Sequence, residues 1–543
     1  MIVATTHQVL NQAPPLGDYD TSADPVLLDS LVRGGAEWAV DEVSAVGRLA
    51  GSEHMRKLGQ LAQAHPPQLH THDRYGNRID EVEYDPAYHQ LMTTAVEHGI
   101  AAAPWAENRR GVHLARAAKL LVWTPEPGHT CPISMSYAVV PALRMSPGIA
   151  SSLEPRLSSR VYDPELRDPA TKPGLIAGMS MTEKQGGSDV RTNTTRAEPL
   201  ADGSFALTGH KWFTSAPMSD FFLTLAQAPR GLSCFLVPRV LPGGERNQIR
   251  LMRLKDKLGN KANASSEIEY EHAIGWLIGE QGRGVRTIVE MVNLTRLDCV
   301  LGSTGGMRTA LKLAGHHVRH RHTFGKALID QPLMRQVIAD LAVEAEASTL
   351  AAMRLAEAHD RAVNGDPTEA ALRRLALAAS KYYICKRGPI HAAEALECLG
   401  GNGYIEDSGM PQIYREQPLL SIWEGSGNVA ALDALRALAR DPEPLEVYFT
   451  EMEAATGADP RFDDALQRLK KEFADPADLE VRARRVVEQL ALVFQGSLLL
   501  QYSSPAVADA FCATRLDRDW GGAFGTMPAR TDFGAIVDRA VAA

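Results

Sequence analysis

The stretch SIWEGSGN, residues 421–428, places one carboxylate, Glu424, between the indole of Trp423 and the small residues Gly425, Ser426, Gly427 and Asn428. In water a carboxylate is a weak base. Desolvated against an apolar ring, its charged form is disfavoured and it becomes a competent general base. The same residues also make an ordinary turn. A second candidate is MTEKQGGSDV, residues 181–190, where Gly186 and Gly187 would let backbone N–H groups approach a ligand and Thr182 and Ser188 add hydroxyls. It reads equally as a Gly-Gly-Ser-Asp turn. A third is GHKWFTS, residues 209–215, in which Trp212 is a wall for a flat ring and Thr214 and Ser215 supply hydroxyls at its edge, or all three simply pack.

Other chemistries find little support. No G-x-x-x-x-G-K-[ST] loop occurs, and no G-x-G-x-x-G opens a βαβ unit, so a dinucleotide would not sit in a Rossmann domain. His316 and His320 in GHHVRHRHTFG have helical metal-ligand spacing, but neither an H-E-x-x-H pattern nor an acidic third ligand accompanies them. They read as a polar helix end, as do His70 and His72 as a polar pair, and no metal is expected.

The elements that must position these residues follow from the bulk pattern. The chain has 543 residues, 45% hydrophobic and 23% charged, which suits several globular domains. A net charge of −9 argues against coating nucleic acid by global charge, yet leaves room for a local basic face. Cys131, Cys234, Cys299, Cys385, Cys398 and Cys512 are scattered, as expected of reduced thiols in a cytoplasmic protein. The N-terminal residues lack a signal-peptide pattern. The apolar run 486–502 is broken by Glu488, Gln489 and Gln495, so a buried helix is expected and not a membrane span.

Helical periodicity dominates 1–180, short β-branched and aromatic runs of four to seven residues dominate 181–288, and long helical patterns return over 289–440. A Pro-rich boundary near 440 introduces a last helical block, 441–543. The expected fold is mainly α with a central β domain of barrel or sandwich type, a helical bundle and an extra C-terminal helical domain.

In this order the motifs resemble the acyl-CoA dehydrogenase family of flavoproteins over about 20–440. The family's T-E-x-x-x-G-S-D is met by Thr182, Glu183, Gly187, Ser188 and Asp189, and its W-I-T by Trp212, Phe213 and Thr214. Its R-x-x-F-G is met by Arg321, Phe324 and Gly325, its G-G-x-G-Y by Gly400, Gly401, Gly403 and Tyr404, and its aromatic-E-G-[ST] by Trp423, Glu424, Gly425 and Ser426. The resemblance implies FAD, with its ring between the β domain and the bundle. Met181, Thr182, Gly187, Ser188, Trp212, Thr214 and Ser215 would line that ring. Trp423, Gly425, Ser426 and Asn428 would flank the base and the diphosphate. Arg321, Thr323, Phe324, Gln331, Gly400 and Gly401 would reach the FAD of a neighbouring subunit, which implies a homotetramer. Glu424 matches the base that removes the α-proton of a thioester while hydride leaves the β-carbon. Some relatives carry that base on the helix holding NLTRLD. Thr295 stands there, and Arg296 beside it would hold the charge of the base or be a helix-surface cation.

Lys184 and Gln185 replace the loop's usual proline and small residue at the expected mouth of the thioester channel. With NQAPPL (11–16), KDKLGNKANAS (255–265) and the C-terminal extension, they resemble the AidB branch of the family. That branch implies FAD, double-stranded DNA as a partner bound through its backbone with little sequence specificity, a role in the response to DNA alkylation, and weak dehydrogenase activity on an acyl-CoA or reaction with an alkylating small molecule. Candidate DNA contacts are Arg436, Arg440, Lys470, Lys471, Arg482, Arg484, Arg485, Arg515 and Arg518, with Leu466, Leu469 and Phe473 marking the opposite, buried face. The same cations read as a solvated face neutralised by nearby acids. The alternatives are a metabolic short branched-chain acyl-CoA dehydrogenase and a scaffold in which FAD is structural.

Overall fold

The computed structural model describes residues 6–474 and 477–541. The chain forms two compact units, each built from separated stretches: 53–112 with 125–298, and 1–52 with 113–124 and 299–543.

The first unit is organised by a seven-stranded sheet. Ala177–Ser180 runs parallel to Phe221–Ala228. From Phe221–Ala228 the pairing passes through Arg196–Pro199, Phe205–Ser215, Ser265–Ile278 and Gly231–Pro238 and returns to Phe221–Ala228. Five strands therefore close into a barrel, while, among the described residues, Ala177–Ser180 pairs only with Phe221–Ala228 and remains at an edge. Ile249–Leu254 pairs alongside Ser265–Ile278. Phe221–Ala228 is buried on both faces, which is why it reads as a continuous apolar run and not as an alternation.

Phe205–Ser215 and Ser265–Ile278 have 11 and 14 residues, longer than the short runs the sequence suggests. Register shifts at Leu207/Thr208 and Lys211/Thr214 let such long strands bend with the barrel. Helix Thr130–Leu143 is buried nearly all round and packs on the sheet, where Ser136 Oγ accepts from the Ala177 N–H at 2.9 Å. The stretch expected to be mostly helical also holds a hairpin, Gln68–His72 with Arg78–Glu83. Its turn is fixed by Asp73, whose carboxylate accepts from the N–H groups of Tyr75 and Asn77.

The second unit is helical. Pro25–Arg33 and Pro367–Glu397 each begin with proline at the first turn and an aspartate cap, Asp24 and Asp366. Pro367–Glu397 is central, packing against Pro332–Val363, Met410–Ile422, Gly427–Arg440, Glu443–Glu453 and Leu479–Tyr502. The residues after 440 thus share the core of the bundle. Leu466 and Leu469 are buried as expected of one face of Pro460–Ala474, and Leu479–Tyr502 is the expected buried helix. Among the described residues no helix is long and apolar enough to cross a membrane. All six cysteines are buried free thiols.

Candidate active site

Helix Met410–Ile422 ends where the N–H of Trp423 donates to Leu419 O at 3.1 Å, and helix Gly427–Arg440 starts four residues on. In the break, Glu424 has φ of 59° and Gly425 has φ of 106°. A non-glycine residue in the left-handed region costs about 1–2 kcal/mol, so something must hold Glu424 there. Lys381, buried on Pro367–Glu397, donates from Nζ to Trp423 O at 2.9 Å and also to Gly425 O. Trp423 packs on a buried cluster of Cys299, Cys385 and Leu420. Its indole N–H is buried and has no acceptor among the described residues.

Ser426 precedes the next helix without a side-chain cap bond, so the first N–H groups of that helix are open. A Cβ at Gly427 would fall 2.5 Å from Lys386 Cε, so glycine permits the close approach of this lysine. Ser426 and Asn428 are exposed beside it. An uncapped helix start with a lysine against it is suited to an anion.

In the barrel unit the loop 181–190 and strand Phe205–Ser215 form one structure, since the Trp212 N–H donates to Thr182 O at 2.8 Å. The loop is anchored from inside by Glu183. This carboxylate meets Lys211 Nζ at 2.9 Å and accepts from the hydroxyl and N–H groups of Thr194 and Thr195. Burial alone would raise the Glu183 pKa, but Lys211 and these donors outweigh it and hold the group well below the usual carboxylate range. Burial pushes Lys211 down to about 8 despite its partner.

Met181, Thr182, Trp212 and Ser215 are half-buried, whereas Gly187 and Ser188 are exposed. Thr214 differs from expectation. Its side chain is fully buried and its hydroxyl pairs with Ser180 Oγ at 2.5 Å, because the register shift between Lys211 and Thr214 breaks the strand's alternation and buries Thr214 in place of Phe213. Lys255, from the KDKLGNKANAS stretch, stands 3.2 Å from the centroid of the Trp212 ring and 2.6 Å from Glu267. Gln185 folds back, donating to Glu183 Oε2 at 2.8 Å and to Thr192 O at 3.2 Å. Thr295 donates its hydroxyl to Val292 O at 3.0 Å. Arg296 is buried, which excludes a helix-surface cation.

The NQAPPL segment straps the RHTFG loop. Asn11 Nδ2 donates to His322 O at 2.8 Å, the His322 N–H donates to Asn11 Oδ1 at 2.7 Å, and Arg321 donates to Asn11 O at 2.6 Å. Gln331 Nε2 donates to Thr323 O at 3.0 Å. Phe324 is fully exposed, and Gly400 and Gly401 are exposed. His316 and His320 lie with their rings tilted by 48° at a centroid distance of 4.6 Å, and both bond to backbone. Among the described residues no group of three metal-ligating side chains is assembled.

The basic residues of the extension are not one outward stripe. Arg515 is 4% exposed and sits between Asp340 at 2.6 Å and Glu344 at 3.0 Å. Burial among carboxylates removes it from any phosphate-facing surface. Lys470 pairs with Glu453 at 2.6 Å, while Arg482 and Arg485 share Glu472. Arg484 donates to the Tyr382 hydroxyl at 3.1 Å. Arg436, Lys471 and Arg518 are exposed. The Arg440 side chain lies outside the described residues.

Sequence reasoning missed Lys381 and Lys211. The signal for Lys381 was present in LALAASKYYICK, a cation inside an otherwise apolar helical run.

Three family models match the chain in order: the adaptive response protein AidB N-terminal domain over residues 11–164, the acyl-CoA dehydrogenase middle domain over 178–273, and the acyl-CoA dehydrogenase C-terminal domain over 282–439. The AidB protein of Escherichia coli (strain K12) is 45% identical over 520 residues, covering 95% of this chain and 95% of that protein. Acyl-CoA dehydrogenase family member 11 of Caenorhabditis elegans is 31% identical over 85% of this chain and 80% of its own. A solved structure of Caenorhabditis elegans ACDH-11 in complex with C11-CoA is similar at a TM-score of 0.86 and 29% identity, covering 94% of this chain and 93% of that one.

Proposed function

From the premise that the chain belongs to the acyl-CoA dehydrogenase family and to its AidB branch, we propose that it is a FAD-dependent oxidoreductase acting on acyl-CoA thioesters, with Glu424 as its base. The observation that carries this reading is the shape of the base-bearing turn: a carboxylate held in left-handed backbone between two helices, beside an indole packed on a buried cluster.

The residues present fit FAD. The buried indole N–H of Trp423 is an orphaned donor, and the uncapped start of Gly427–Arg440, with Lys386 against it, suits a diphosphate. In the barrel unit the family likeness assigns Met181, Thr182, Trp212 and Ser215 to it, with backbone from Gly187 and Ser188, and in the helical unit Ser426 and Asn428. Acceptance of a hydride from the β-carbon is the chemistry FAD supplies when bound. The chain's part is to take the α-proton onto the Glu424 carboxylate, and to keep water from that carboxylate with Trp423. Positioned bases of this kind contribute about 10²–10⁴-fold. Arg296, buried on its helix, is the cation to which the family likeness assigns charge balance. Gln185 turned back into its own loop removes one expected obstruction to a thioester, and the similar ACDH-11 was solved with C11-CoA.

A second reading adds DNA. The exposed Arg436, Lys471 and Arg518 support contacts to phosphates without base readout, and the AidB likeness supplies the context of DNA alkylation. A homotetramer in the cytoplasm, with the strapped RHTFG loop reaching a neighbouring subunit, belongs to the same proposal.

Anaerobic titration of the purified flavoprotein with a panel of acyl-CoA thioesters tests the main reading. Bleaching of the flavin that Glu424→Gln abolishes supports it. Absence of bleaching with every thioester, with FAD tightly held, overturns it.

A further inference from the structure

We infer that Lys381 is the positioning residue of the catalytic turn, fixing the direction of Glu424 through the two peptide carbonyls that flank it. This inference rests on the reading of Glu424 as the base.

Lys381 lies in the middle of the central helix Pro367–Glu397 and is 1% exposed. A lysine so buried requires acceptors for its three ammonium hydrogens. Two of its acceptors are Trp423 O and Gly425 O, 42 and 44 residues away in sequence. These are the residues on either side of Glu424. One ammonium therefore bridges a residue on each side of the base: it holds the 423–424 peptide, which sets the φ of Glu424, and the 425–426 peptide just beyond it. A single contact would leave the turn free to pivot; two contacts spanning it do not.

The chemistry suits a lysine. The two carbonyls lie just past the C-terminal end of Met410–Ile422, where backbone acceptors lack intrahelical partners and a positive charge is favoured. The bond is also needed to offset strain, because Glu424 lies at φ of 59°, a conformation that non-glycine side chains rarely adopt. The floor is rigid: Cys385, one turn further along the same helix, packs with Cys299 and Leu420 under Trp423. The central helix thus holds the turn by a polar clamp and an apolar seat, one turn apart.

The test compares Lys381→Met, Lys381→Arg and Glu424→Gln as full-length flavoproteins, each checked for FAD content and thermal melting. Reduction of the flavin by a thioester is followed anaerobically across pH. In Lys381→Met, kcat is expected to fall about 10²-fold, the scale of a misplaced catalytic group. Its KM should stay within about threefold, and the acid limb of its rate profile should move to higher pH, since the cation bound to the backbone of the turn that carries the carboxylate has gone. Lys381→Arg, which keeps the charge and donors, should recover part of the rate and the wild-type pH limb. A merely structural lysine would change melting and FAD retention and leave the pH limb in place. If Lys381→Met keeps the wild-type rate and profile while Glu424→Gln is inactive, the positioning role is wrong and the base assignment stands. If Glu424→Gln is itself active, the base assignment fails, and this proposal fails with it.

Discussion

Glu183 and Lys211 meet at 2.9 Å with neither side chain exposed to solvent. The pair joins the first glycine-rich loop to the strand that carries Trp212. Lys211 also donates to Leu225 O at 2.8 Å, so it ties the loop to a second strand, Phe221–Ala228. The family-like residues Met181 and Thr182 therefore owe their position to an ion pair beneath the loop and not to the glycines alone. Those glycines serve close approach: a Cβ at Gly187 would fall 2.4 Å from Thr182 Oγ1.

Removing one member of this pair should cost more than removing both. Lys211→Met leaves a buried carboxylate without its cation and should lower stability by about 3–5 kcal/mol. The double variant Lys211→Met, Glu183→Gln should recover a large part of that loss. Urea unfolding of the two variants measures the difference. Equal losses in both would mean that the pair is not coupled.

The same carboxylate sets a pH dependence. In the unfolded chain Glu183 has its ordinary value of 4.5, and in the fold it is held well below that. The unfolded chain then binds more protons under acid conditions, so the stabilisation is full above about pH 4.5 and is lost as pH falls below it. Wild type should therefore lose stability on acidification more steeply than Glu183→Gln. Denaturation midpoints between neutral pH and pH 3 for the two proteins check the slope; parallel curves would contradict it.

Arg515 predicts a different outcome from the basic residues near it in sequence. It lies between Asp340 and Glu344, and Trp520 Nε1 donates to Asp340 Oδ2 at 3.1 Å. Arg515→Met should destabilise by about 3–5 kcal/mol, because two buried carboxylates lose a shared cation. Guanidinium unfolding reads the loss, and a change under about 1 kcal/mol, the scale of an exposed pair, would place Arg515 in the wrong class.

What could be read from the sequence was local. The Glu424 stretch, the 181–190 glycine loop and the RHTFG segment are patterns of a few residues each, and in the structure the first is a turn between two helices and the last two are loops. The buried cations did not reveal themselves, since their partners are remote: Lys381 meets Trp423 across 42 residues and Arg515 meets Glu344 across 171. Helical periodicity puts both on a face but cannot say what that face meets. Thr214 failed for a related reason. Its hydroxyl was read as pointing to a ligand, and the register shift between Lys211 and Thr214 gives it to Ser180 instead. The long barrel strands were read as shorter runs because bulges interrupt their period.

A glycine pair makes a further prediction about the bundle. Gln417 is buried on Met410–Ile422, the helix that leads into Trp423, and Ser303 Oγ donates to its Oε1 at 2.8 Å. A Cβ at Gly388 would lie 2.0 Å from Gln417 Oε1, and one at Gly306 would lie 1.9 Å from Nε2. Gly388→Ala should displace Gln417 and cost about 1–3 kcal/mol as overpacking. With Glu424 as the proposed base, it should also slow flavin reduction, since the displaced helix leads into the turn that carries Glu424. Thermal melting with thioester reduction reads both, and an alanine variant equal to wild type in each would show that the contact relaxes freely.

The DNA proposal is sharpest at the cations that carboxylates leave exposed. Arg436 and Lys471 are exposed, whereas Lys470 is half-buried against Glu453. Each phosphate contact contributes a slope of about −0.9 to log K against log salt. The double variant Arg436→Glu, Lys471→Glu should bind duplex DNA more weakly and with a slope shallower by about 2. Lys470→Gln should change little, because its ammonium is already engaged. The effect should be alike for unrelated duplex sequences, as backbone contacts carry no base readout. Binding isotherms at several salt concentrations give the slopes. A double variant with wild-type affinity and slope would remove these residues from the contact surface and leave the flavin chemistry as the function to pursue.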